Sequence, residues 1–191
     1  MKSLLNRTPI KVLAIVALFS AIGHLVADKQ LTSLYNQSKF PVPYFVGQTS
    51  FDAEKIKAWY GEMINQGTLE IYIQTQNFDF VFILTVIAMG FSIWGLVLRL
   101  FPQNTFFRRN ILSLSLFLPL AGLFDILENL TSYIMLANPL GFADWLAYIY
   151  SGFAVLKFGA WSIALLLLVV FILALPVVHF QVRRKKGLSH A

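Results

Sequence analysis

Four long runs of apolar residues dominate the pattern along this 191-residue chain. Each run is close to the roughly 20 apolar residues that an α-helix needs to cross a bilayer. The last run is longer than that, so we expect it to tilt or to protrude, with its cytoplasmic end at Pro176. The pattern predicts an all-α membrane protein with a single domain, residues 1–191, built as a four-transmembrane-helix bundle. The predicted spans are residues 10–27, 80–101, 111–136 and 146–178.

Between the first two spans, residues 28–79 form the one long stretch that is not continuously apolar, which we call the outer segment. Part of it has apolar residues at three- and four-residue spacing, which is typical of an amphipathic helix. We expect this helix to begin at Thr49 or Ser50 as its cap and to end at Gly67 in a left-handed conformation. It is predicted to lie as a short helical extracytoplasmic cap on the bundle. Its apolar face consists of Ile56, Trp59, Tyr60 and Met63.

Composition excludes a soluble domain. Hydrophobic residues make up 58% of the chain and charged residues 13%, against about 45–50% and about 25% in soluble proteins. The chain has no cysteine, which excludes disulfides, thiolate metal sites and cysteine nucleophiles. It also lacks the Gly-x-Ser-x-Gly elbow of serine hydrolases and the glycine-rich loops that hold phosphates.

The positive charges are placed unevenly along the chain. Ten of the fifteen basic residues lie at three places: near the start of the first span, around the connection between the second and third spans, and after the fourth span. All nine acids lie elsewhere. The positive-inside rule therefore predicts a multi-pass protein of the cell membrane with both termini cytoplasmic. The ten residues are Lys2, Arg7, Lys11, Arg99, Arg108, Arg109, Arg183, Arg184, Lys185 and Lys186.

This distribution also explains the net charge of +6. Basic groups at the ends of spans set orientation and contact anionic lipids. We therefore expect membrane lipids as partners and no nucleic acid. A partner membrane protein or a second copy of the chain is a further expectation.

The third span carries three polar residues on one face. Asp125, Glu128 and Asn129 stand at positions i, i+3 and i+4 of a helix. A charge at the centre of a bilayer costs about 2.5–3.5 kcal/mol on insertion scales, so such residues need partners. Asp125 lies eleven residues from Leu136, and Lys157 lies eleven residues from the facing start of the fourth span. Both are then roughly 16 Å below the outer surface, and we expect Lys157 to pair with Asp125 or Glu128.

One lysine cannot neutralise two carboxylates, so the second acid must be protonated, bound to a cation or open to water. Two explanations stay open. The four residues form a buried network that fixes helix register, with Asn129 bonded to a neighbouring helix, or they form an ion, proton or ligand site that opens outward. No metal and no cofactor are predicted, because a single histidine is near and Lys157 opposes a cation. The candidate mouth of the pocket is His24, Asp28, Asp79, Ser132, Tyr133 and Tyr150.

Three stretches of the sequence carry a resemblance to a known family. They are Asn77-Phe-Asp-Phe-Val-Phe82, Leu118-Pro-Leu-Ala-Gly-Leu-Phe-Asp-Ile-Leu-Glu-Asn-Leu130 and Gly152-Phe-Ala-Val-Leu-Lys-Phe158. Together they resemble an uncharacterised family of small four-span integral membrane proteins with an Asp-x-x-Glu-Asn motif in span three and a lysine in span four. The chain departs from that family at Glu70, where a basic residue is expected. The resemblance implies no reaction, but it implies that five residues belong together: Asp79, Asp125, Glu128, Asn129 and Lys157.

Three functions fit these observations. The leading one is a non-enzymatic accessory, binding or assembly protein held together by the buried polar network. The second is a small transporter or a proton- or ion-coupled protein that uses Asp125, Glu128 and Lys157. The third is a membrane enzyme acting on lipid headgroups, with Glu128 as the base and Lys157 as the anion-binding group.

Overall fold

The computed structural model describes residues 7–102, 105, 106, 108, 110 and 116–188, and the side chains up to residue 184. The start of the predicted third span, residues 111–115, lies outside the described residues. Within them the fold is all-α and contains no strand. The helices are α1 (Ile10–Ser38), α2 (Tyr44–Gln48), α3 (Ala53–Gln66), α4 (Leu69–Leu100), α5 (Phe117–Leu136) and α6 (Trp145–Leu188).

Three helices are long and apolar enough to cross a membrane. They are Ile10–Ser38, Leu69–Leu100 and the stretch Trp145–Arg184 of α6. Helix α5, which has two carboxylates and an amide in twenty residues, is not one of them. The chain is thus an all-helical protein with three membrane-capable helices in the part that the structure describes.

Helix α3 has a different start from the predicted one. Its cap is Asp52, whose carboxylate accepts a hydrogen bond from the Lys55 backbone N–H at 3.1 Å. That hydrogen bond lowers the pKa of Asp52, so the cap carries its charge at neutral pH. The predicted caps Thr49 and Ser50 are wrong, since Thr49 instead ends α2 and its hydroxyl bonds back to that helix. The predicted end is confirmed, because Gly67 has a φ of 68°.

Helix α6 continues through Pro176 to Leu188, so the predicted end at Pro176 is wrong. A proline removes one backbone hydrogen bond but does not stop a helix in apolar surroundings, where the free backbone groups have no water to bind instead. Helices α1 and α4 also extend past their apolar runs. Residues 28–38 belong to α1 and residues 69–79 to α4.

The long helices pack in chain order, with α1 on α4, α4 on α5 and α5 on α6. Glycine allows the closest approach between α4 and α5. A Cβ on Gly90 would lie 3.0 Å from the Cβ of Leu118, and a Cβ on Gly122 would lie 2.8 Å from Ile87 Cγ1. Both distances are shorter than ordinary contacts, so a larger residue at either position would force the facing side chain to move.

Helix α3 closes one end of the molecule, which we call the α3 end. Its apolar face is buried as predicted at Ile56, Tyr60 and Met63, and Trp59 is partly buried beside them. These side chains pack against residues from α4, α5 and α6 and from the connection before α6. That core includes Tyr72, Met135, Leu136, Phe142, Leu146 and Tyr150.

Candidate functional site

A buried lysine joins α6 to α5. Lys157 Nζ lies 2.9 Å from Asp125 Oδ1 and 2.5 Å from Glu128 Oε2. The predicted contact is therefore present, and it involves both acids rather than one. The Asp125 contact is a hydrogen bond, whereas the Glu128 contact has ion-pair distance without hydrogen-bond alignment. Lys157, Asp125 and Glu128 are 5%, 6% and 0% exposed, so water does little to screen their charges.

A second buried contact joins α5 to α4. Asn129 Nδ2 donates a hydrogen bond of 2.7 Å to Asp79 Oδ2, and both side chains are buried. This is the predicted bond from Asn129 to a neighbouring helix. The spacing of Asp125, Glu128 and Asn129 on one face of α5 explains the geometry, because a helix turns residues at i, i+3 and i+4 toward the same neighbours.

The charges of this cluster do not balance. Three buried carboxylates, on Asp79, Asp125 and Glu128, accompany the single ammonium of Lys157. Buried charges without a partner are strongly destabilising, so the cluster needs a proton or a second cation. Within the described residues, no group of three or more His, Cys, Asp or Glu side chains is arranged to hold a metal ion.

A cavity of about 620 Å³ reaches this cluster between α1 and α6. Its floor is polar and buried, because Asp79, Asp125 and Lys157 lie there. Its walls are mainly aromatic and aliphatic, and its rim is exposed at Asp28 and Ser162. The lining consists of Asp28, Leu31, Thr32, Tyr35, Tyr44, Phe45, Asp79, Phe82, Asp125, Lys157, Phe158, Trp161, Ser162 and Leu165.

Helix α2 supplies two residues that the sequence analysis missed. Gln48 Oε1 accepts from Lys157 Nζ at 3.3 Å, and the ring of Tyr44 lies 5.8 Å from the same nitrogen. Burial of its hydroxyl raises the pKa of Tyr44 well above the usual value, and nearby carboxylates raise it further. Tyr44 is thus a neutral phenol beside the acids. Pro41 and Pro43 disfavour helix in the residues before them, and the short helix begins directly after Pro43.

Two residues of the candidate mouth line the cavity. Asp28 is exposed at its rim, and Asp79 is buried at its floor. His24 is outside the lining; its Nδ1 lies 3.4 Å from Thr85 Oγ1 on α4. His24 thus lies in the packing between α1 and α4.

The other three residues of the candidate mouth lie elsewhere. The Tyr133 hydroxyl donates to Asn77 Oδ1 at 2.5 Å and joins α5 to α4. Ser132 and Tyr150 are buried, and Tyr150 packs in the core under α3. Ser132 is turned inward because it stands one helical turn beyond Glu128 on the same face. Closeness to a span end therefore did not distinguish a mouth residue from a core residue.

Comparison with protein-family models, curated proteins and solved structures finds no match to this chain. The resemblance to a four-span family therefore stays a hypothesis. The functional argument rests on the cluster and the cavity.

Proposed function

We propose that the protein is a four-span, non-enzymatic membrane protein that binds an amphiphilic ligand in the cavity between α1 and α6. The observation that carries the proposal is the cavity itself, which combines a buried polar floor with apolar walls. Ligand sites are typically concave and mostly apolar, with a few polar groups that fix orientation. The floor residues Asp79, Asp125 and Lys157 supply those groups.

Helix α5, which corresponds to the predicted third span, is proposed to cross the membrane in addition to the three membrane-capable helices. Its polar residues face inward and are buried, whereas its opposite face exposes aliphatic side chains. Leu123, Leu130 and Ile134 are 48%, 49% and 60% exposed. A helix with an apolar outer face and paired polar groups inside suits a membrane, because lipid contacts the apolar face alone.

The proposed orientation places both chain termini in the cytoplasm and the α3 end outside, with α3 as the extracytoplasmic cap. It is supported by the ten basic residues that flank the predicted spans in sequence at the ends away from the outer segment. The proposed partners are membrane lipids and not nucleic acid. A partner membrane protein or a second copy of the chain is an alternative partner. The native mass spectrometry described next distinguishes these partners by the mass of the particle.

Native mass spectrometry of the full chain, released from membranes in mild detergent, tests the binding function. We expect a bound amphiphile at about one per chain. Ser162→Trp, which fills the cavity rim, should lose it. The matched control is Ile163→Trp, at an exposed neighbouring position outside the lining, and this variant should keep it. A chain with no retained amphiphile, or equal retention in the two variants, would contradict the proposal.

The charge imbalance favours proton or ion coupling as a second candidate function. Three carboxylates and one ammonium in a buried cluster require a proton or another cation, and its exchange could drive transport. The test is uptake of protons into liposomes that contain the purified protein, under an imposed membrane potential. Uptake that is abolished by Asp125→Asn supports coupling. Proton uptake no faster than into protein-free liposomes excludes proton coupling.

An enzyme acting on lipid headgroups has less support. Its proposed base, Glu128, is outside the cavity lining and lies against Lys157. A general base must come within hydrogen-bond reach of the proton that it removes. A ligand in the cavity would meet Asp79 and Asp125 before it met Glu128.

A further inference from the structure

The charges on the cavity wall indicate what kind of headgroup fits there. We propose that the cavity selects a ligand with a protonated amine on an apolar body and that this ligand enters from the membrane between α1 and α6. The inference rests on the proposed binding function and adds the chemical class of the ligand.

The first argument is the sign of the charges. Asp28, Asp79 and Asp125 line the cavity, and Lys157 is the one basic residue in the lining. Glu128 lies directly behind Lys157, at 2.5 Å. The region around the cavity therefore carries an excess of acids, and low-dielectric walls strengthen the attraction of this excess for a cation.

The second argument is which polar atoms are already used. Lys157 Nζ donates hydrogen bonds to Asp125 Oδ1 and Gln48 Oε1, and Glu128 Oε2 lies at ion-pair distance from the same nitrogen. A lysine has three N–H donors; two are in use and Glu128 competes for the third, so little remains for an anionic ligand such as a phosphate. An anion would also have to approach carboxylates of its own sign.

The carboxylates, in contrast, keep free acceptors. Asp79 bonds Asn129 through Oδ2, and Asp125 bonds Lys157 through Oδ1. Among the described residues, Asp79 Oδ1 and Asp125 Oδ2 have no hydrogen-bond partner. Two free carboxylate oxygens on the floor of a cavity suit the N–H groups of an ammonium, which has donors and no acceptor.

The third argument is the wall above the floor. Tyr44, Phe82, Phe158 and Trp161 line the cavity. Aromatic rings attract cations through their faces and bury apolar chains against their surfaces. The rim runs between α1 and α6, at exposed Ser162 and Leu165 on α6. In the proposed four-span arrangement that opening faces lipid, so an apolar chain can stay in the bilayer while the amine reaches the floor.

The test compares three probes with the same chain: octylamine, octanol and octyl phosphate. Binding to the full-length protein in phosphatidylcholine nanodiscs is measured by titration calorimetry, with protein-free nanodiscs subtracted. We expect octylamine to bind at least about tenfold more tightly than the other two. Asp79→Asn keeps an acceptor for Asn129 and should weaken octylamine binding by about tenfold to a hundredfold, the loss typical of one charge-assisted hydrogen bond. It should leave octanol binding unchanged.

Two further variants keep the test decisive. Glu62→Gln removes an exposed acid of α3 and should change nothing. Asp28→Asn alters an exposed rim residue, and it should weaken octylamine binding severalfold even if Asp79→Asn fails to fold. Octyl phosphate or octanol binding as tightly as octylamine would overturn the inference and leave the binding function standing. No binding of any probe, together with no retained amphiphile in native mass spectrometry, would overturn both.

Discussion

Lys157 lies between two carboxylates of one helix, and its removal would leave both without their cation. We predict that Lys157→Met lowers the free energy of unfolding by about 3–5 kcal/mol, the usual cost of removing one partner from a buried ion pair. Adding Asp125→Asn and Glu128→Gln to that variant should restore most of the loss, because neutral side chains need no counter-charge. Detergent-solubilised protein, unfolded by increasing denaturant, provides the measurement.

Lys29→Met is the matched control, since Lys29 is an exposed lysine of α1. It should leave the free energy of unfolding unchanged within about 0.5 kcal/mol. If Lys157→Met alone were as stable as the parent chain, the cluster would not depend on this cation. If the triple variant stayed as unstable as Lys157→Met, packing of the lysine stem rather than charge would explain the loss.

For single residues, the sequence predicted some contacts of the cluster and not others. Helical rise is constant, so counting residues from the span ends was enough to bring Lys157 to the level of Asp125. The same count could not find Gln48, because its position depends on how the short helix α2 folds over the spans. The link between Asn129 and Asp79 also depends on which helix faces α5. That choice follows from packing and not from local spacing.

Helices α4 and α5 approach each other closely at Gly90, next to Leu118. We predict that Gly90→Ala destabilises the protein by about 1–3 kcal/mol, because the added methyl group overpacks a filled contact. Gly159→Ala is the control, since a Cβ at this position in α6 meets no atom within 4 Å. It should be neutral or slightly stabilising, because alanine favours helix more than glycine does. Thermal unfolding of the two purified variants measures the difference.

A Gly90→Ala variant as stable as Gly159→Ala would contradict this prediction, because it would mean that Leu118 makes room for the methyl group at no cost. The contact matters for the site as well, since α4 carries Asp79 and α5 carries its partner Asn129. A shift between the helices should therefore also weaken binding in the cavity. Affinity for octylamine, measured on the same sample, reports that effect.

Features of the helices were predicted correctly where they depend on a few neighbouring residues in the sequence. The apolar face of α3 and the glycine at its end were correct, because helical periodicity and a left-handed cap are both local properties. The end at Pro176 was wrong, since the apolar surroundings of α6 outweigh one lost hydrogen bond. The cap at Asp52 was missed because three polar residues in four, Thr49, Ser50 and Asp52, can all cap a helix.

For the whole molecule, composition and apolar runs were sufficient to indicate a helical membrane protein. The cavity was not predictable in the same way. It exists because α1 packs on α4 and α6 packs on α5, which leaves space between the first and last helices. A sequence pattern shows which face of a helix is apolar, but it does not show which pair of helices stays apart. The sequence alone showed the excess of acids in the cluster. It did not show that a cavity opens between α1 and α6.

The absence of cysteine from the chain allows a direct test of the proposed four spans, because each introduced cysteine is the single thiol. We predict that Glu62→Cys and Asn138→Cys react with a membrane-impermeant maleimide on intact cells, whereas Gln103→Cys and Arg184→Cys react after lysis alone. Glu62 and Asn138 lie at the α3 end, and in the proposed arrangement the chain crosses the membrane once before and once after each of them. Gln103 and Asn138 flank α5 in sequence, so labelling of both from the same side would show that α5 does not cross. Labelling of Arg184→Cys on intact cells would instead reverse the orientation that the basic residues predict.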